Sequence, residues 1–292
     1  MNKTIPLFVI PALIWGSTWY VIKFQLGTID PLVSVSYRYW LAGLIMLIFC
    51  LLTRANMKFN LKEHLFMALQ GLFLFGLNYW TAYEAEVHIT SGMMAIAFSC
   101  IVFANSLFGK VFLKIPINRK IILGAMLALV GTILIFSAEL VHVNFSPATI
   151  KGMLIAMLSM TIASLGQITS ARNSKNGIPV LQANAFGMLY GAFLMSALAW
   201  LMGLDFSFDV SVSYVASLMY LAVFGSVVAF GAYLTLIAKI GADRASYSLV
   251  VIPVISMSIS GVFEGYQWSI WVIIGVSLIL VGNVLALRNK MS

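Results

Sequence analysis

Ten apolar runs, each about long enough to cross the roughly 30 Å of a bilayer's hydrocarbon core, divide this 292-residue chain. They fall near residues 5–22, 32–52, 65–83, 91–108 and 121–137, then 152–169, 181–202, 214–238, 245–263 and 268–287, with short loops between them. No water is available inside a bilayer, so a spanning segment must satisfy its own backbone N–H and C=O groups, and runs of this length do so as helices. Only 9% of the residues are charged, against about 25% in soluble domains, and the mean hydropathy is +1.01. The expected fold is therefore an all-α polytopic membrane protein with about ten transmembrane helices. No loop has room for a soluble domain. Lys3 precedes the first run, as in a signal peptide, but the run is long for one and lacks a small-residue cleavage site, so it reads as the first span.

The net charge of +8 is distributed by loop, which argues for topology and against a nucleic-acid partner. Alternate loops hold Arg54, Lys58 and Lys62, then Lys110, Lys114, Arg119 and Lys120, then Arg172 and Lys175, then Lys239 and Arg244, with Arg288 and Lys290 in the tail. The opposite loops hold mainly Asp30, Glu84, Glu86, Glu139, Asp205, Asp209 and Glu264. By the positive-inside rule both termini are expected in the cytoplasm. Cys50 and Cys100 fall inside spans, where a structural disulfide is not expected. His64, His88 and His142 have no ligand spacing, and there is no nucleotide- or cofactor-binding motif, so neither a metal nor a cofactor is expected.

Five spans per half is an odd number, so a second half that repeated the first would enter the membrane from the other side. The stretch 124–134, GAMLALVGTIL, resembles 275–285, GVSLILVGNVL, each in the last span of its half. Aligning 85–92 with 238–245 pairs acidic Glu86 with basic Lys239, the exchange that opposite sidedness would select. The expected organisation is one five-helix repeat over 1–143 and a second, inverted one over 144–292.

The ninth run, between Arg244 and Glu264, is the one built to be interrupted. Pro253 cannot donate a backbone N–H and pushes away the carbonyl of Leu249. Ser246, Ser248, Ser256, Ser258 and Ser260 flank the break and are candidates to repair it, which would make this helix one wall of a polar path. Other spans carry unusual polarity as well. Asp30–Pro31 reads as an N-cap and first turn, and Arg38 lies about 10 Å into that helix. The sixth span holds Ser159, Thr161, Ser164, Gln167 and Thr169, and the fourth holds Ser99, Asn105 and Ser106. Gly187 and Gly191 have the GxxxG spacing of close helix packing, within a protomer or across a dimer.

The segments PALIWGSTWYVIK, DPLVSVSYRYWLAG, NYWTAYEAEVHITSGMMA and AVFGSVVAFGAYLTLIAKIGADRASYSLVVIPVISMSISGVFEG, in this order and spacing, resemble the EamA-type branch of the drug/metabolite transporter superfamily over nearly the whole chain. The resemblance implies a ten-helix secondary transporter in a bacterial inner membrane, often an exporter of amino acids, metabolites or drugs. Carried over, the family's Trp-Gly-Ser falls on Trp15, Gly16 and Ser17, its lysine on Lys23, its helix-two arginine on Arg38, its Ala-Glu on Ala85 and Glu86, its helix-nine proline on Pro253, and the following Gly and Glu on Gly261 and Glu264. The chain departs from the family where the first repeat commonly ends its fourth helix with a glutamate: here it has Lys110 and Lys114.

The candidate substrate-binding set is Trp15, Trp19, Asn78, Tyr79, Tyr83, Ser99, Gln167, Tyr233, Ser248 and Ser256, aromatics and neutral polar groups that suit a small amphipathic solute. As packing residues or backbone-bonded hydroxyls the same side chains would be ordinary. Lys23, Arg38, Glu86 and Pro253 are candidates for gating or coupling; Lys23, Arg38, Glu84 and Glu86 would form either a charge cluster at the outer mouth or a structural ion-pair set there. The expected cavity lies between the halves, lined by helices one, three, four, six, eight and nine, in a monomer or homodimer. An integral-membrane enzyme would show convergent titratable groups in the bundle, and a receptor or assembly protein a sizeable loop domain; neither pattern is present in the sequence.

Overall fold

The computed structural model describes residues 4–25, 27, 29–141, 143, 146–255 and 269–287. Its long elements run in order as α1 (Thr4–Ile22), α2 (Pro31–Leu52), α3 (Leu61–Glu86), α4 (Gly92–Leu113), α5 (Arg119–Ile135), α6 (Pro147–Lys175), α7 (Val180–Leu201) and α8 (Val212–Ile240). Then comes α9, the turns Ala242–Ala245 and Tyr247–Val250 continued over 252–255, and α10 (Ile270–Leu287). No strand occurs among the described residues. Seven of these helices, α2, α3, α4, α6, α7, α8 and α10, are long and apolar enough to cross a membrane. Of the other three expected runs, α5 has 17 residues, α9 is described only to residue 255, and the side chains of α1 are described without a break over Thr4–Thr18 alone.

Helix starts follow local chemistry. The Asp30 carboxylate accepts the Leu32 N–H at 2.8 Å with Pro31 opening α2, and Ser146 with Pro147 does the same for α6. Asn60 and Glu63 form a reciprocal capping box at the start of α3.

The polarity of the bundle is opposite to that of a soluble protein. Leu123, Met126, Val130 and Ile133 form an exposed stripe on α5, as Ile273, Leu280 and Val284 do on α10, while Arg38, Gln70, Asn105, Gln167 and Asn184 are buried. Such a surface is stable only against lipid, and the chain is an integral membrane protein.

Glycines set the closest helix contacts. α5 packs along α10, and α2 along α7. A Cβ on Gly124 would stand 2.6 Å from the carbonyl oxygen of Gly282, and one on Gly282 would stand 2.5 Å from that of Gly124. Gly187 and Gly191 of the GxxxG pair are both used inside the protomer: a Cβ on Gly71 would lie 2.1 Å from the Gly187 carbonyl oxygen and 3.0 Å from the Gly191 nitrogen. Among the described residues two helices carry a π-helical turn, Gly71–Leu77 in α3 and Val223–Val228 in α8.

The ninth run is interrupted at Ser246 and Val251, short of Pro253. The Ser246 hydroxyl donates to the Ala242 carbonyl one turn back, whereas the Ser248 hydroxyl is buried without a hydrogen-bond partner. Ser256, Ser258, Ser260, Gly261 and Glu264 lie outside the described residues.

Candidate functional site

The π turn of α8 fixes two side chains that reach it from other helices. Trp15 of α1 donates its indole N–H to the Gly225 carbonyl at 3.0 Å, and Arg38 of α2 donates its Nε–H to the Ser226 hydroxyl at 2.9 Å. Ser226 in turn donates to the Leu221 carbonyl, five residues back. A π turn departs from the regular backbone ladder, and here its Gly225 carbonyl and Ser226 hydroxyl hold neighbours in place.

These two residues form part of the wall of a cavity of about 160 Å³ in the middle of the bundle. Trp15, Thr18 and Ile22 of α1, Arg38 of α2, Leu74, Asn78 and Tyr79 of α3, and Ala95, Phe98 and Ser99 of α4 come from the first half. Ala163 and Gln167 of α6, Phe230 and Tyr233 of α8, and Leu249, Ile252 and Pro253 of α9 come from the second. All six helices expected around a central cavity contribute, and α2 joins them through Arg38. The aromatics are interlocked: the Trp15 ring meets Phe230 edge to face at 4.8 Å and Tyr233 at 5.2 Å.

Of the fourteen sequence candidates, Trp15, Arg38, Asn78, Tyr79, Ser99, Gln167, Tyr233 and Pro253 stand in this wall. Tyr83 and Ser248 are buried but outside it, and Glu86 is half-buried at the end of α3. The side chains of Trp19 and Lys23, and all of Ser256, lie outside the described set. Several wall hydroxyls and amides are already engaged. Ser99 bonds the Ala95 carbonyl at 2.8 Å and the Thr132 hydroxyl at 3.0 Å, and the Asn78 side-chain oxygen accepts from Ser159 at 3.1 Å.

The described members of the expected rim cluster, Arg38, Glu84 and Glu86, do not pair with one another. Glu84 faces Lys151 and His88, each at 3.8 Å. Arg38 turns inward to Ser226 and to the ring faces of Tyr79 and Tyr39, at 4.9 and 5.4 Å from their centroids. A guanidinium matches aromatic faces as well as carboxylates, which is how it remains deep in the bundle.

One end of the cavity is closed by a polar knot. Gln167 Oε1 accepts from the Tyr233 hydroxyl at 2.8 Å and from the Asn105 amide at 2.7 Å. Asn105 Oδ1 accepts from Ser164 at 2.6 Å, and its amide nitrogen also contacts the Ser246 hydroxyl. The knot ties α4, α6, α8 and α9, and on its far side a small cleft is lined by Asn105, Ser106, Leu113, Pro116, Ala242 and Asp243. Asn105 counts in the sequence as unusual polarity of the fourth span but not as a site residue; its signal is an amide within a charge-free apolar run.

The chain is similar to known proteins along its whole length. A superposition on a solved crystal structure gives a TM-score of 0.79 over 99% of each chain at 18% identity, a likeness of fold alone. It is 28% identical over 268 residues to the uncharacterized inner membrane transporter YedA of Escherichia coli (strain K12), covering 90% of this chain and 84% of that one. Protein PagO of Salmonella typhimurium is 24% identical over 291 residues, with 97% and 95% covered, and the uncharacterized transporter YoaV of Bacillus subtilis is 23% identical over 277, with 92% and 91% covered. The model of the EamA-like transporter family matches residues 2–137 and again 150–288. With that double match over most of its length, this membrane protein belongs to the EamA-like transporter family.

Proposed function

We propose that the protein is a secondary active transporter, an exporter, of a small amphipathic metabolite such as an amino acid, or of drugs, working by alternating access through the central cavity. The observation that carries this reading is the cavity itself, whose wall takes side chains from α1–α4 and from α6, α8 and α9. A site between two halves is what a rocking bundle exposes to each side in turn.

We further infer that α1–α5 and α6–α10 are two inverted five-helix repeats. Gly124 and Gly131 align with Gly275 and Gly282 in sequence, and the reciprocal close contacts of Gly124 with Gly282 and Gly131 with Gly275 are those of two like helices meeting about a pseudo-two-fold axis. The π turns support the same pairing, one in the third helix of each half. The knot around Asn105 and Gln167 then acts as the closed gate, on the side of the basic loop that carries Lys114, Arg119 and Lys120, which the positive-inside rule places in the cytoplasm along with both termini. Trp15, Asn78, Tyr79, Gln167 and Tyr233 contact substrate in this scheme. Pro253 serves as a hinge, and Glu86, whose Oε1 is buried without a hydrogen-bond partner, is the coupling candidate. The name of the YedA relative supports an inner-membrane location.

The test is counterflow in proteoliposomes: purified protein preloaded with unlabelled candidate solutes should accumulate the labelled solute transiently. Binding or chemical turnover without net movement would overturn the reading.

A further inference from the structure

Arg38 is the one formal charge among the described residues of the cavity wall, and none of those residues supplies it with an anion. It is 2% exposed, its Nε–H is spent on the Ser226 hydroxyl, and its Nη1 is buried with no hydrogen-bond partner. Among the described residues no carboxylate pairs with it, since Glu84 faces Lys151 and His88 while the buried oxygen of Glu86 is itself unpartnered. Removing a guanidinium from water is costly, and the faces of Tyr79 and Tyr39 offset only part of that cost. A charge kept under these conditions inside a membrane protein calls for a counter-charge brought by a ligand.

We propose that the cavity binds an organic monoanion, a carboxylate carried on a single-ring or branched apolar body, with Arg38 as the carboxylate anchor and with no α-ammonium group required. The inference deepens the transporter reading by narrowing its amphipathic solute to an anion in place of an amino acid, and it rests on that reading in taking the cavity for the substrate site. Arginine presents parallel N–H donors that match the two oxygens of a carboxylate. The described wall has no carboxylate to receive an ammonium, so a cationic solute would meet only Arg38 and be repelled, and a zwitterion would bury one charge unpaired. The remaining surface, with Trp15, Leu74, Tyr79, Phe98, Phe230 and Ile252, suits an apolar body. The volume of about 160 Å³ suits a body of about one ring, since a cavity of about 150 Å³ accommodates benzene.

Four probes sharing one phenyl ring separate the possibilities by titration calorimetry on the full chain in detergent: phenylacetate, its neutral amide phenylacetamide, phenethylamine and phenylalanine. Phenylacetate is expected to bind about 10- to 100-fold more tightly than phenylacetamide, the range of a charge-assisted hydrogen bond. Phenylalanine should bind more weakly than phenylacetate, and phenethylamine no better than the amide. Arg38→Lys, which keeps the charge and loses the fork, should weaken phenylacetate about tenfold without changing phenylacetamide; Arg38→Gln should erase the preference for the anion. Should Arg38→Gln fail to fold, the wild-type ranking and Arg38→Lys still decide. Equal binding of the amide or the amine, tighter binding of phenylalanine than of phenylacetate, or no binding of any probe would overturn the proposal. Counterflow of phenylpyruvate, with protein-free liposomes as baseline, keeps the two readings apart. Arg38-dependent binding of the acids without counterflow removes the transporter reading and leaves the anion site standing. Counterflow of the amine but not the acid does the reverse.

Discussion

Gly131 of α5 and Gly275 of α10 leave no space for a methyl group on either: a Cβ built on one lies 2.5 Å from the carbonyl oxygen of the other. The nearest atoms are backbone, which cannot rotate away, so the helices themselves would have to part. Gly131→Ala and Gly275→Ala are each expected to destabilise the protein by about 1–3 kcal/mol, the usual penalty of overpacking. The double variant should cost less than the sum, because once the helices have separated the second methyl finds room. Thermal unfolding in one detergent, compared across the three variants at one scan rate, checks both points.

Asn105→Ala removes the centre of the knot. Gln167 loses one donor and Ser164 its acceptor, an expected loss of about 1–3 kcal/mol for buried groups left without partners. If the knot is the gate, a cysteine placed at Ser106 in the cleft, in a chain with Cys50 and Cys100 replaced by alanine, should react faster with a membrane-impermeant thiol reagent once Asn105 is truncated. Unchanged labelling would make the knot a structural tie only.

Tyr233→Phe tests the same network from the cavity side. It deletes one hydroxyl donor to Gln167 Oε1 and keeps the ring that packs on Trp15. Stability should fall by about 1 kcal/mol, the net value of one neutral hydrogen bond, with solute affinity changed only a few-fold. A complete loss of binding would instead place the Tyr233 hydroxyl in direct contact with the solute.

Glu86→Gln keeps the shape of the side chain and removes its ability to change charge. With Glu86 as the coupling group, transport in proteoliposomes should lose its dependence on an imposed pH gradient while counterflow of solute persists. Transport that keeps its full pH response in this variant assigns the coupling elsewhere.

Much of this was legible in the sequence, for definite physical reasons. Asp30 and Pro31 announced the start of α2 because capping is local chemistry, and Gly187 and Gly191 announced a close helix contact because only small residues permit one. The wall positions Trp15, Tyr79, Gln167 and Tyr233 could be named because polar or amphipathic side chains in a charge-free run have few places to go. Arg38 was misplaced for the opposite reason. Its depth along α2 suggested a rim cluster with Lys23, Glu84 and Glu86, but partner choice depends on helix rotation: the aromatic faces and Ser226 took the guanidinium, and Lys151 took Glu84. The role of Asn105 was hidden in the same way, since a four-helix knot is a property of packing and leaves no spacing signature.

The π turn in α3 sets where the helix points its side chains. In an unbroken α-helix two residues seven apart differ in direction by only about 20°, so Asn78 would face the same way as Gly71, which is pressed against α7. The turn over Gly71–Leu77 accommodates about one extra residue and so rotates everything after it by roughly 100°. One helix can thereby press its glycine against a neighbour on one bearing and present Asn78 and Tyr79 to the cavity on another. Taking up or releasing that single residue of winding would turn the cavity-facing half of α3 like a key, without moving the half that is pinned to α7.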